Sequence, residues 1–374
     1  MRITRLAIAD WRNLSKAELT TDARFVILHG DNAQGKTNLL EAVWMLAALR
    51  SFRESQPRRL VKEGSRFARV EAQVVGPYDT RRLELRLLPG KRRLRVDDVA
   101  PTSLGSWFEL LRAILFCPDH IRIVRGVPQE RRDFLDRAIF TVSPGYLELA
   151  ADYRRAVQQK AALLRTGQAR PAELAPWNDR IVQLGARIAL ARHAMVETLR
   201  PHVLAASAEM SGPAADARTV ELQLRSLGGE ELGLSAVAER IEAAIARFGE
   251  EERRRGRVLV GPHRDDLQLR VEGRNAADYA SQGQARTLVL ALKLAELAVA
   301  RSRGVAPLLL VDDLTGELDR GRMQRFLALL TAQESQVWIT TTDPAFLGPL
   351  PAGEARFWRV REGQVWLEKG SQTG

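Results

Sequence analysis

The sequence predicts an α/β fold of two lobes, one a mixed sheet with helices and the other mainly helical, on three observations. A glycine loop, GDNAQGKT at 30–37, lies between a short apolar run and a helical stretch. From about Pro118 strand-like alternation gives way to long helical patterns, none with heptads sustained far enough for a long coiled coil. Near the other end, Leu308 to Val311 reads as a buried strand ending in paired acids. The first lobe is therefore expected from 1–118 together with 300–374, and the helical lobe from 119–299.

The early elements follow from their patterning. MRITRLAI, ARFVILHG, RFARVEAQVVG and RRLELRLLPGKRRLRV are short strand-like runs broken by turn signals. In the last, Leu83, Leu85 and Leu87 share a face, Pro89-Gly90 turns the chain, and Leu94 and Val96 return, which is hairpin patterning. Its other face carries Arg82, Arg86, Lys91, Arg93 and Arg95, readable as a solvated sheet face or as a DNA-contacting ribbon.

The glycine loop fits G-x-x-x-x-G-K-[ST]. Phe25-Val-Ile-Leu28 supplies the strand before it; Leu39, Val43, Leu46 and Leu49 supply the helical stripe after it. In this reading the loop Gly30, Asp31, Asn32, Ala33, Gln34 and Gly35 presents backbone N–H groups to phosphates, while Lys36 neutralises the terminal ones and Thr37 reaches Mg²⁺. The helix N-terminus adds partial positive charge. A nucleotide with Mg²⁺ is therefore the expected ligand.

The helical region contains GYLELAADYRRAVQQKAALLRTG and NDRIVQLGARIALARHAMVETLRPHVLAASAEM, with a break expected at Pro171 and Pro176. Ile181, Leu184, Ile188 and Met195 form an apolar stripe for helix packing. GEEERRRGR at 249–257 reads as a solvated connector, with RVLVG returning the chain to a sheet. In SQGQARTLVLALKLAELAVA, Ser281 is placed to cap a helix whose stripe is Leu288, Leu292 and Ala295, giving a second phosphate-binding helix end. In APLLLVDDLTGELD, Asp312 is the Mg²⁺ candidate, and Asp313 is placed to orient or deprotonate an attacking water. Thr37 and Asp312 stand 275 residues apart, too far for a compact small-molecule kinase.

Composition narrows the partners. The 57 Lys and Arg against 46 Asp and Glu leave +11, which favours an anionic partner, nucleic acid first. One cysteine, Cys117, excludes an internal disulfide and suits a reducing compartment. No secretory signal opens the chain and no apolar run is long enough for a membrane span, so a cytoplasmic location and no membrane partner are expected. The five histidines make no close pair at ligand spacing, so no zinc site is expected.

Together the loop at 30–37, LFCPDHIRIVRGVPQERRDFLD at 115–136, GPHRDDL at 261–267, SQGQARTLVLALKLAE at 281–296, LLLVDDLTGELD at 308–319 and VWITTTD at 337–343 resemble the RecF family of bacterial recombination mediators, within the ABC-type ATPases of the SMC and Rad50 class. The resemblance spans nearly the whole chain. It implies an ABC-type P-loop ATPase head in which Gly30, Asn32, Gly35, Lys36 and Thr37 hold ATP, Asp312 holds Mg²⁺ and Asp313 stands at the catalytic-carboxylate position, with Lys36 assisting. It further implies that Ser281, Gly283 and Gln284 contact the γ-phosphate bound by an opposite subunit, making an ATP-dependent homodimer, and that the loop through Asp319 crosses that interface. One of Thr340, Thr341 and Thr342, with Thr341 the central choice, falls where many relatives have a histidine switch.

The partners implied are DNA, single-stranded and gapped duplex, with RecR and RecO acting beside the protein to load RecA. Arg53, Arg264 and the hairpin cations are the DNA-contact candidates. Two departures temper the mechanism. Asp-Asp stands where most of the class has Asp-Glu, so Asp313 reaches less far and slow hydrolysis is expected. Thr315-Gly316-Glu317 lacks the serine that usually precedes the glutamate. Rival readings are a nuclease-linked ATPase, which needs a further acidic metal cluster, and a transporter subunit, which needs the switch histidine.

Overall fold

Alternating and continuous apolar runs set the first elements. In the computed structural model, which describes residues 1–212, 219–228, 233–316 and 318–368, β1 (Arg2–Trp11), β2 (Leu14–Thr20) and β3 (Phe25–His29) lead into α1 (Lys36–Ala48). Then come β4 (Ala68–Val75), β5 (Thr80–Leu88), β6 (Lys91–Val96), α2 (Leu104–Leu110) and β7 (Ala113–Phe116). The helical stretch holds α3 (Ile121–Arg125), α4 (Pro128–Val142), α5 (Tyr146–Arg165) and α6 (Pro171–Ser211). It continues through β8 (Val220–Arg225), α7 (Leu234–Arg255), β9 (Asp266–Val271), β10 (Arg274–Asn275), α8 (Ala276–Tyr279) and α9 (Gln282–Ser302). The last elements are β11 (Leu308–Asp312), α10 (Arg320–Thr331), β12 (Val337–Thr341), β13 (Ala355–Arg361) and β14 (Gln364–Leu367).

The chain divides into two units, Met1–His120 with Glu209–Ala215 and Glu296–Gly374, and Ile121–Ala208 with Asp216–Ala295. The first unit contains two sheets. A six-stranded sheet runs β14-β13-β3-β12-β11-β7, parallel except at β13–β14. Its strands β3, β11 and β12 are buried at every position, as a parallel sheet covered on both faces requires. An antiparallel sheet runs β2-β1-β4-β5-β6. Leu83, Leu85 and Leu87 of β5 face its buried side. On the other side Glu71 and Glu84 lie directly opposite each other, a repulsive register that arginines relieve: Arg69 bridges both, Arg5 reaches Glu71 at 3.1 Å and Arg86 reaches Glu84 at 2.9 Å.

The second unit is held by helices and by buried charge. Ile181, Leu184, Ile188 and Met195 of α6 and Val237, Ile241 and Ile245 of α7 are buried, as the stripe predicts. Arg192 donates through Nε and Nη2 to both oxygens of Asp136 (2.8 and 3.0 Å), and through Nη1 to the Pro262 carbonyl (2.6 Å) and Asp265 (3.1 Å). Arg131 grips Asp266, and the Tyr153 hydroxyl lies 2.7 Å from His263 Nδ1. GPHRDDL thus closes a polar core. Burial pushes the Asp265 carboxyl up to about 6 against the pull of Arg192, and pushes the His263 imidazole down to about 4. A three-stranded antiparallel sheet, β10-β9-β8, completes the unit.

Three local expectations are overturned. The proline-containing break ends at Pro171, where α6 begins, and Pro176 lies inside that helix, as does Pro201. Each proline removes one rung of the ladder, and the buried stripe carries the helix through. GEEERRRGR is not a connector, because α7 runs on to Arg255 and Gly256 ends it at φ 63. RVLVG is likewise not a strand; Val258 and Val260 are buried in a turn-rich stretch, and the strand starts at Asp266. Among the described residues no helix is long and apolar enough to cross a membrane.

Candidate nucleotide-binding site

Strand β3 delivers the chain into a loop that only glycine can make. Gly30 has φ 143, and a Cβ there would sit 2.2 Å from the Val360 carbonyl oxygen of β13. Gly35 closes the loop at φ 116 and precedes α1 with no side-chain cap, which leaves the first-turn amides to a ligand. Between them Asp31, Asn32 and Ala33 are exposed, with Ala33 at φ 64.

Gln34 fastens this loop to the rest of the unit. Its carbonyl accepts from the Gly363 amide (3.0 Å) and from Asn13 Nδ2 (3.1 Å), and its side-chain Oε1 accepts from the Glu362 amide (2.6 Å). Gly363, at φ 74, has room for no Cβ, since one would meet the Asn13 carbonyl at 2.4 Å. The turns 362–363 and 12–13 therefore buttress the phosphate loop from two sides.

Lys36 is 5% exposed and donates to the Gly30 and Asp31 carbonyls at 2.7 and 2.8 Å. Burial holds its ammonium below the ordinary lysine value, opposed by Asp313, Asp312 and Asp31. Thr37 Oγ1 donates to Asp312 Oδ1 at 2.8 Å, and Thr340 Oγ1 donates to the same oxygen at 2.8 Å. Burial raises the Asp312 carboxyl above its usual range, against those two hydroxyls and Arg53. Asp313 follows at φ 38, a left-handed conformation, with its amide held by Thr340 Oγ1 at 2.9 Å. Arg53 donates to Asn38 Oδ1 at 2.6 Å, and the buried Glu41 takes both Nε and Nη2 of Arg12 at 2.9 Å.

The remaining candidates are placed as follows. Ser281 and Gln284 form a reciprocal box at the start of α9: the Gln284 amide donates to Ser281 Oγ at 3.2 Å, and the Ser281 amide donates to Gln284 Oε1 at 2.6 Å. The Gly283 carbonyl accepts from Thr287. Asp319 caps α10 through the Arg322 amide at 2.9 Å. The side chain of Thr315 and all of Glu317 lie outside the described residues. Of the three threonines Thr340 faces the acids, whereas the Thr341 hydroxyl closes a turn on Asp343. Arg264 is exposed, and of the hairpin cations Arg82 and Arg86 are paired with Asp98 and Glu84, while Lys91 and Arg93 are exposed.

These groups fit a nucleoside triphosphate with Mg²⁺. The cradle is glycine-lined, its cation rests on neutral carbonyls that phosphate oxygens can replace, and Thr37 with Asp312 supplies the hard oxygen ligands that Mg²⁺ prefers. Among the described residues no three His, Cys, Asp or Glu side chains gather around a metal position, so a metal here would complete its shell from phosphate and water. Asn13, Glu362 and Gly363 were not signalled by the sequence motif. VREGQV reads as a hairpin turn, but nothing in it states which loop it braces.

The family described as RecF/RecN/SMC N terminal domain matches residues 2–349. The DNA replication and repair protein RecF of Anaeromyxobacter sp. (strain Fw109-5) is 40% identical over 98% of this chain and 99% of its own, and that of Geobacter sp. (strain M21) is 36% identical over 98% and 100%. A solved structure of the recombination mediator protein RecF with ATP in the RecFOR pathway superposes with a TM-score of 0.88 at 26% identity, covering 98% of this chain and 97% of that one. An Smc head bound to the C-terminal winged-helix domain of ScpA matches at TM-score 0.57 and 14% identity, over 100% and 98% of the two chains, a likeness of fold alone.

Proposed function

The chain belongs to the RecF/RecN/SMC N-terminal domain family, and from that premise we propose that it is an ATP-gated DNA clamp of recombinational repair. The observation that carries the reading is the 2.8 Å hydrogen bond from Thr37 to Asp312, which joins the end of the phosphate loop to an acid 275 residues away. Bound ATP with Mg²⁺ supplies the phosphoanhydride whose hydrolysis times the clamp. Lys36 exchanges the Gly30 and Asp31 carbonyls for phosphate oxygens, and the first-turn amides of α1 complete the cradle. Thr37 and Asp312 would hold Mg²⁺.

Asp313, fixed by its backbone bond to Thr340, orients or deprotonates the attacking water. Its short side chain makes that step slow. The Ser281–Gln284 end of a second copy's α9 opens its own box to donate to the γ-phosphate, so that ATP joins two copies. The closed dimer holds DNA at single-strand/duplex junctions through sequence-independent phosphate contacts and helps RecR and RecO load RecA.

The test is binding of the full chain to a gapped duplex with ATP, with ADP and without nucleotide, at one salt concentration. Tighter binding with ATP, about tenfold or more, is the expected result. Equal affinity in all three states would remove nucleotide gating of DNA from the proposal.

A further inference from the structure

A second concavity lies in the first unit, apart from the phosphate loop, with a volume of about 1300 Å³. Its apolar lining consists of Phe67, which is 40% exposed, and the half-buried Leu88 of β5, backed by the buried Met45, Leu49 and Leu87. Its rim is basic. Arg58, Lys62, Arg66, Lys91 and Arg92 line it against one carboxylate, Glu63.

The walls are built into the fold. On one side the segment after the 3-10 turn Pro57–Leu60 is tied to β1, where the Arg12 amide donates to the Leu60 carbonyl and the Lys62 amide to the Asp10 carbonyl, both at 2.8 Å. On the other, Leu88 pairs with Lys91 across the Pro89-Gly90 turn, and Arg92 Nη1 donates to the Leu49 carbonyl at 2.7 Å. Hydrogen bonds to the surrounding elements thus hold both walls.

We propose that this groove docks an acidic, amphipathic segment of another protein, with apolar side chains on Phe67 and Leu88 and carboxylates on Arg58, Arg66 and Lys91. Size argues for a segment, because small-molecule pockets run to roughly 300–1,000 Å³. Charge sets the sign of the partner, and a second copy of this chain, at +11, is of the wrong sign. The accessible apolar surface argues against nucleic acid: phosphate contacts gain nothing from Phe67 and Leu88, and a single-strand groove would need successive aromatic platforms where the lining offers Phe67 alone. An amphipathic helix laid in a groove uses both features.

The experiment measures fluorescence anisotropy of the full-length protein with a labelled helix-forming peptide, leucines at helical spacing on one face and glutamates on the other. Companion probes carry serine for the leucines or lysine for the glutamates, and an oligothymidine serves as the nucleic acid. The acidic amphipathic peptide is expected to bind about tenfold tighter than either companion. Phe67→Ser and the double change Arg66→Glu with Lys91→Glu should each weaken it about fivefold or more, with thermal unfolding and ATP affinity unchanged. The proposal is overturned if no peptide binds, if the serine peptide binds equally well, or if these variants lower oligothymidine binding and leave the peptide unaffected.

Discussion

Lys36 in the first unit and Arg192 in the second are both buried cations, 5% exposed each, and their surroundings could hardly differ more. Lys36 rests on two neutral carbonyls, and burial lowers its affinity for a proton. Arg192 is also opposed by burial, but Asp136 and Asp265 outweigh it and hold the guanidinium above its ordinary value. A cation whose hydrogen bonds go to neutral carbonyls is available to an anionic ligand, whereas one hydrogen-bonded to two carboxylates is committed to the fold.

The contrast can be broken at its structural end first. Arg192→Met leaves Asp136 and Asp265 without their cation and should cost about 4 kcal/mol of stability by urea unfolding, while ATP affinity of the folded fraction stays unchanged. A loss of ATP affinity would mean that the two roles are not separable. At the other end, Lys36→Ala should weaken ATP binding about a hundredfold, roughly 3 kcal/mol by titration calorimetry, with little change in the unfolding midpoint. A large drop in stability would make Lys36 a structural cation as well.

The polar core of the second unit can be sharpened by pH. An imidazole held near 4 is neutral in the fold, so its contribution is complete above about pH 6.5 and is lost as pH falls toward 4. Asp265, raised to about 6, runs the other way and loses its contribution as pH rises. His263→Gln removes only the first dependence. Wild type should therefore gain about 2 kcal/mol relative to the variant between pH 4 and 6.5, read from urea midpoints at each pH. The smallest effect belongs to the buttress: Gln34→Ala deletes the Glu362 contact but keeps the main-chain bonds, and should weaken ATP binding about fivefold, roughly 1 kcal/mol.

What the sequence could and could not convey follows from the range of each interaction. Strand β3, the glycine loop and α1 are legible because each is specified by neighbours along the chain, and the same holds for β11 and its acids. Helix α6 was obscured at Pro176, where a local rule lost to a long buried stripe. RVLVG reads as a strand because buried valines alternate in either setting. The identity of the threonine beside Asp312 depends on the register of β12 on β11, which pairs Thr340 with Asp312 and turns Thr341 away. Motif spacing cannot supply that register. Nor can it reveal that Gln34 is pinned by Glu362, 328 positions later.

Strand β3 lies between β12 and β13, whose residues come more than 300 positions after it. During synthesis, therefore, the phosphate loop leaves the ribosome early and waits. The segment 121–295 can be finished while β3 still lacks both neighbours, and the buttressing turn at 362–363 emerges after almost everything else. A nascent chain, or one cut short before β12, carries the motif without the site.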